Sequence, residues 1–134
     1  MAEAQDVSRD RPSAMVAGLL LCRAADGCLA FRARDVVAVE AWTASDRSPH
    51  ARVAFGYSPH QGRALVSADG EVVGVDEVSV FAEPVTVLAT PALLGRAMGK
   101  SIAGFVFARD RLWPLLRLSE FSRFLVTSQE GARF

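Results

Sequence analysis

The sequence predicts a mainly β protein, two small packed five-stranded-type β-barrels with the first one shortened, together with one or two short helices. Three observations carry this expectation. Short apolar runs rich in Val, Leu, Ile and Phe recur along the chain, too short for buried helices and of the side-chain types that suit a pleated sheet. Turn signals at Asp26-Gly27, Asp69-Gly70 and Arg109-Asp110-Arg111 join these runs in pairs. A unit of strand, turn, strand and closing segment is written three times at a spacing of roughly 40 residues. Three imperfect copies are too few for a propeller, so related hairpins closing into small barrels is the expected arrangement.

Composition bounds the rest. A chain of 134 residues is one domain or two very small lobes, long enough to bury a core without metal or disulfide staples. Hydrophobic residues make up 51% and the formal net charge is zero, which excludes a disordered chain and an electrostatic binder of nucleic acid or membrane. Partners must be recognised by shape and apolar surface. Two cysteines, Cys22 and Cys28, do not make a disulfide framework and read as reduced thiols in a cytoplasmic protein.

Taken in order, residues 1–14 mix Asp, Glu, Arg, Ser and Pro without periodicity and read as a flexible tail. Arg9 and Arg11 precede the apolar run 14–22, which is too short to span a bilayer and has the wrong flanks for a signal peptide. The domain proper is expected over 15–125. Residues 18–23 form its first strand, Ala24-Ala25-Asp26-Gly27 the turn, and 28–32 the returning strand; Arg34-Asp35 then opens the Val-rich segment DVVAVEAW, ending at Trp42. Residues 43–62 are polar and turn-rich, with two Ser-Pro-His triplets, and only 53–57 is apolar enough for a strand.

Residues 63–81 repeat the unit, with Asp76-Glu77 ahead of another Val-rich segment. The connection 83–99 carries Thr90-Pro91 before Ala92-Leu93-Leu94, where Thr90 caps a short helix with proline at its first position, and Gly95 and Gly99 end it. Residues 101–121 are the third copy. Pro114 argues for an edge or a bulge because proline cannot donate to the ladder, and Ser119-Glu120 reads as a helix start. Residues 126–134 read as a polar tail.

Residues 95–101, GRAMGKS, fall one residue short of a phosphate-cradling loop, but that motif needs a strand before it and a helix after it, and the expected order is reversed. Cys22, Cys28, His50 and His60 lack the close spacing of zinc ligands, so the cysteines read as buried thiols and the histidines as exposed loop imidazoles. No serine lies in a Gly-x-Ser-x-Gly elbow, and Asp76 and Glu77 point to opposite faces of a strand. The chain reads as no enzyme, with no cofactor and no metal. Trp42, Phe55 and Tyr57 are either plugs of an incomplete barrel or anchors at a partner surface. Arg23, Arg32, Arg34 and Arg63 alternate with apolar positions and are expected on solvent faces.

The order of these segments resembles the CheW-like domain, the coupling adaptor of bacterial chemotaxis systems. Residues 104–121 look like the family's closing pattern of glycine, apolar strand, turn, proline-containing strand and Leu-x-Leu-x-x-Leu. Gly74, Val75, Asp76 and Val78 look like its Gly-x-x-Val-Asp-x-Val element with a shorter gap. The resemblance covers roughly residues 16–125. The family's longer insert ahead of that element has no counterpart in 43–62, so the resemblance is to a shortened, divergent member, of a kind that would suit a myxobacterial Frz-type pathway.

What it implies is a cytoplasmic scaffold joining a methyl-accepting chemoreceptor's cytoplasmic domain to a CheA-type histidine kinase regulatory domain or another CheW-like protein. No nucleic acid and no membrane insertion are implied, and the missing insert leaves the kinase contact open. Partner binding is expected at Ala38, Val39, Glu40 and Trp42, with Glu40 where the family has an acidic residue near the receptor-facing surface. An exposed strand edge left by the missing hairpins is expected to accept a partner strand. The rival expectation is a small β-barrel that binds a ligand or nucleic acid, which would need exposed aromatics with basic flanks.

Overall fold

The computed structural model describes residues 15–43, 48–93, 96 and 99–131, with side chains as far as 127. The first hairpin forms as its turn signal predicts. Strand β2 (Leu19–Ala24) follows a two-residue β1 (Met15–Val16) and pairs antiparallel with β3 (Gly27–Arg32) around a two-residue turn. The third copy gives β9 (Ile102–Ala108) and β10 (Arg111–Leu116), and β10 lies parallel to β3 with Leu115 opposite Ala30. Strand β7 (Glu77–Phe81) adds to the other side of β2, making a five-stranded sheet in the order β7-β2-β3-β10-β9. A second sheet consists of β4 (Ala38–Trp42), β5 (Gly62–Val66) and β6 (Val72–Val75), all antiparallel. A two-residue β8 (Val85–Thr86) pairs with β1.

The barrels predicted from the repeats do not close among the described residues. The five-stranded sheet keeps two edges, β7 and β9. Leu88 occupies the outer edge of β9 at Phe105, donating to the Phe105 carbonyl at 2.7 Å and accepting from the Phe105 amide at 2.9 Å. The Arg109 side chain crosses the gap, donating to Ser79 Oγ at 2.8 Å and to the Val80 carbonyl at 3.3 Å.

The core has two parts because β2 is buried on both faces. Leu20 and Cys22, with Phe31 of β3, pack against Leu65, Val73 and Val75 of the three-stranded sheet and against the C-terminal helix α1 (Leu118–Gly131). Leu19 and Leu21 face the other way, toward Val87, Val106, Trp113 and Leu115. Burial pushes the Cys22 thiol up to about 12, so this group behaves as a small hydrophobe. Cys28, one position past the turn, packs instead against the second cluster, so the two cysteines face opposite sides of the sheet.

Helix α1 presents Leu118, Phe121 and Leu125 to the first cluster at spacings of three and four. Burying side chains of this size stabilises the fold by about 1.5–3 kcal/mol each. The helix begins one residue before the predicted start, and Ser119 turns its hydroxyl to Asp69 rather than capping. It also runs on to Gly131, through residues expected to be a polar tail.

Of the two alternatives that Pro114 suggested, an edge or a bulge, the strand shows the second: β10 is central, pairing with β3 begins only at Leu115, and a bulge follows between Leu115 and Leu116. Two further expectations are corrected. The apolar stretch at 53–57 is no strand, since Ala51–Phe55 winds into a short 3-10 helix ended by Gly56 in the left-handed conformation. His50 is fully buried, where an exposed loop imidazole was expected. In the connection before β9, residues 92, 93 and 96 are helical, as the Thr90-Pro91 start predicts, while Leu94, Gly95, Ala97 and Met98 lie outside the described residues. No helix among the described residues is long and apolar enough to cross a membrane.

Candidate functional site: the β4 edge and the latch beneath it

Four side chains from three separate stretches, Trp42, His50 with Arg52, and Asp76, form a latch beneath the three-stranded sheet. His50 opens the 3-10 helix, and its Nδ1 accepts from the Arg52 amide at 3.1 Å. A neutral ring accepting at Nδ1 carries its proton on Nε2. The His50 ring packs edge-on against Trp42, with centroids 4.8 Å apart at 82°. Both rings lie over Gly74, where an added Cβ would come within 2.6 Å of His50 and 2.8 Å of Trp42; only glycine lets them seat.

Asp76, just past β6, completes the latch. Its Oδ2 accepts from the Ala25 amide at 2.7 Å and from Arg52 Nη1 at 2.8 Å, while its own amide donates to the Arg23 carbonyl at 2.8 Å. The end of β6 is thereby tied to the β2–β3 turn. Asp76 Oδ1 stands 3.8 Å from His50 Nε2, too far for a hydrogen bond. Burial raises the Asp76 pKa, but the Ala25 amide and the Arg52 guanidinium outweigh it and hold the carboxyl below the usual range. Burial lowers the pKa of His50 and is only partly opposed by the Asp76 charge. The latch therefore works with a neutral imidazole and an ionised carboxylate.

Above the latch, β4 is an outermost strand, with β5 as its only neighbour among the described residues. Register places Val39 opposite Leu65, which is in turn opposite Val73. This apolar row starts in the core and runs off the sheet: Val73 and Leu65 are fully buried, while Val39 is 43% exposed and Val37, just before the strand, 62%. Glu40, the next residue after Val39 and on the opposite face, is exposed and makes no hydrogen bond or ion pair among the described residues. Ala38 is half-buried opposite Val66.

Of the four residues expected to bind a partner, Val39 and Glu40 are thus accessible, and Ala38 is partly so. Trp42 is not: at 3% exposure it is a core residue of the latch. The other two aromatics of that group are exposed but anchored to the protein's own first hairpin. The Phe55 ring covers Gly27, and Tyr57 donates its hydroxyl to Asp26 at 2.9 Å, a bond that raises the phenol's pKa. The three rings form no single exposed platform, since Trp42 is buried, and the Arg52 guanidinium lies 5.4 Å from the Tyr57 ring centroid. Arg23, Arg34 and Arg63 are exposed and Arg32 is half-buried.

Sequence reasoning missed the latch altogether. Its one visible signal was His50 standing directly before Ala51 and Val53, a polar residue against a small apolar stretch. Among the described residues no group of three His, Cys, Asp or Glu side chains gathers to hold a metal. No family model matches the chain, and no curated protein matches it.

Proposed function

We propose that the protein is a non-enzymatic adaptor of a chemotaxis-like signalling array, of the CheW-like kind, and that β4 is its partner-binding edge. The observation that carries this reading is the apolar row Val73–Leu65–Val39 continuing past the edge of its own sheet into solvent. A partner laid along β4 would cover Val37 and Val39 and would meet the unpaired carboxylate of Glu40 at its rim. The order of hairpins around two apolar clusters, with a proline-containing strand leading into the last helix, supports the family likeness read from residues 104–121.

The partner is the helical cytoplasmic tip of a chemoreceptor; a histidine kinase regulatory domain, or another CheW-like protein, is the second body that the scaffold brings beside it. Its mechanism is assembly, with no covalent step. Co-purification of the full chain with a receptor cytoplasmic fragment, with and without the kinase regulatory domain, tests the reading. Glu40→Arg is expected to weaken receptor capture about tenfold, in the range of a rim charge reversal at a protein interface, without changing the melting temperature. Retention of every partner by that variant would remove β4 from the interface.

A further inference from the structure

A second feature lies far from β4, at the open end of the five-stranded sheet. Where β7 and the β9–β10 turn fail to meet, they leave a cleft of about 290 Å³ lined by Leu21, Arg23, Glu77, Val78, Ser79, Arg109, Arg111 and Trp113. Strand alternation puts Leu21 and Arg23, Glu77 and Ser79, and Arg111 and Trp113 on one face, so the apolar floor and the charged rim follow from register alone. Three arginines and one glutamate line it: 3 − 1 leaves two positive charges, in a chain whose total is zero.

Two of the three guanidiniums are held in place, and most of the donors of all three stay unclaimed among the described residues. Arg111 Nη1 donates to Cys28 Sγ at 3.1 Å, and Arg109 is fixed by Ser79 and Val80 with its guanidinium 5.8 Å from the Phe81 ring centroid. Arg23 makes no side-chain hydrogen bond or ion pair among the described residues. The turn that carries Arg109 is itself strained. Arg109 and Asp110 both adopt the left-handed conformation, at φ 51° and 65°, where a two-residue hairpin turn ordinarily takes Asn-Gly. That backbone brings Arg109 across to β7. Asp110 does not line the cleft.

We propose that this cleft binds a compact dianion, a phosphate monoester group, with its body against Leu21 and Trp113. Three planar guanidiniums around one small space match the oxygens of a phosphoryl group, and the two uncompensated charges match its charge near neutral pH. Two sources share that chemistry: a small phosphorylated metabolite and a phosphorylated side chain of a partner.

The test is titration of the full chain, followed by the indole N–H signal of Trp113 in two-dimensional proton–nitrogen spectra. The probes are inorganic phosphate, phosphoserine and a short phosphoserine peptide, with acetate and sodium chloride at matched ionic strength as controls. The expected result is a saturable shift of Trp113 with the phosphate probes, at least tenfold weaker with acetate, and leaving Trp42 unmoved. Arg23→Gln with Arg111→Gln should weaken phosphate binding tenfold or more. Ser79→Glu, which places a carboxylate in the cleft, should abolish it even if the double variant does not fold. A peptide binding more tightly than free phosphoserine assigns the site to a partner's side chain, and equal binding assigns it to a metabolite. A shift that follows ionic strength alone, or phosphate bound as tightly by Ser79→Glu as by the native chain, overturns the proposal.

Discussion

At the scale of single residues, His50 decides how the protein responds to acid. The imidazole sits in a closed space with Asp76 beside it, Arg52 close by and the backbone and ring of His60 bearing on it, and its pKa lies below the ordinary 6.5. Below pH 6.5 the unfolded chain takes up a proton at this histidine that the folded chain refuses. Stability from this residue is therefore complete above pH 6.5 and falls as pH drops through the folded value. Asp76 has the same sign: its depressed pKa contributes stability above the ordinary 3.8 that is lost as pH falls further. Thermal unfolding between pH 7.5 and 4 should show a melting temperature declining from about pH 6.5. His50→Gln should cost about 1–3 kcal/mol at neutral pH and flatten that first decline. An unchanged profile in the variant would mean that His50 does not titrate with folding.

At the scale of elements, the hairpins were the most legible part of the sequence. Asp26-Gly27 and Asp69-Gly70 mark turns whose flanking runs are apolar and short, and the strands formed within a residue or two of expectation. The glycine of the signal carries the left-handed backbone only at Gly70; in the first turn Ala25 carries it, and in the third Arg109 and Asp110 both do, with no glycine. Asp110→Gly should relieve that strain and raise stability by about 1 kcal/mol, read as a higher denaturant midpoint with an unchanged slope. A lower midpoint would mean that the Asp110 side chain stabilises the turn.

Elements fixed by tertiary contacts were less legible. The stretch 53–57 looks strand-like by composition, but its first three residues belong to the 3-10 helix Ala51–Phe55, which His50 and Gly56 cap. The polar end of α1 beyond Leu125 lacks the apolar spacing by which helices are recognised. The binding edge was legible in part. Val39 and Glu40 stand out because residues on a strand alternate, whereas the burial of Trp42 depends on Gly74, more than thirty residues away, leaving room for its ring.

At the scale of the whole molecule, two apolar clusters on either side of β2 hold three sheets together, and neither sheet of three or more strands closes on itself. Repeated hairpins in the sequence suggested closure because each copy resembles the next. A residue outside the repeats, Leu88, instead takes the outer edge of β9 at Phe105. An open architecture leaves the β4 edge on the three-stranded sheet and the arginine-lined cleft at the gap in the larger one. Both are places, among the described residues, where a sheet ends without being covered. The adaptor reading rests on the first of them.

Hydrogen exchange of the full chain with and without a chemoreceptor cytoplasmic fragment tests that claim most directly. Added fragment should slow exchange at residues 37–42 while the β9–β10 hairpin stays as it was. Unchanged exchange along β4 in a mixture where the two proteins co-purify would contradict the account.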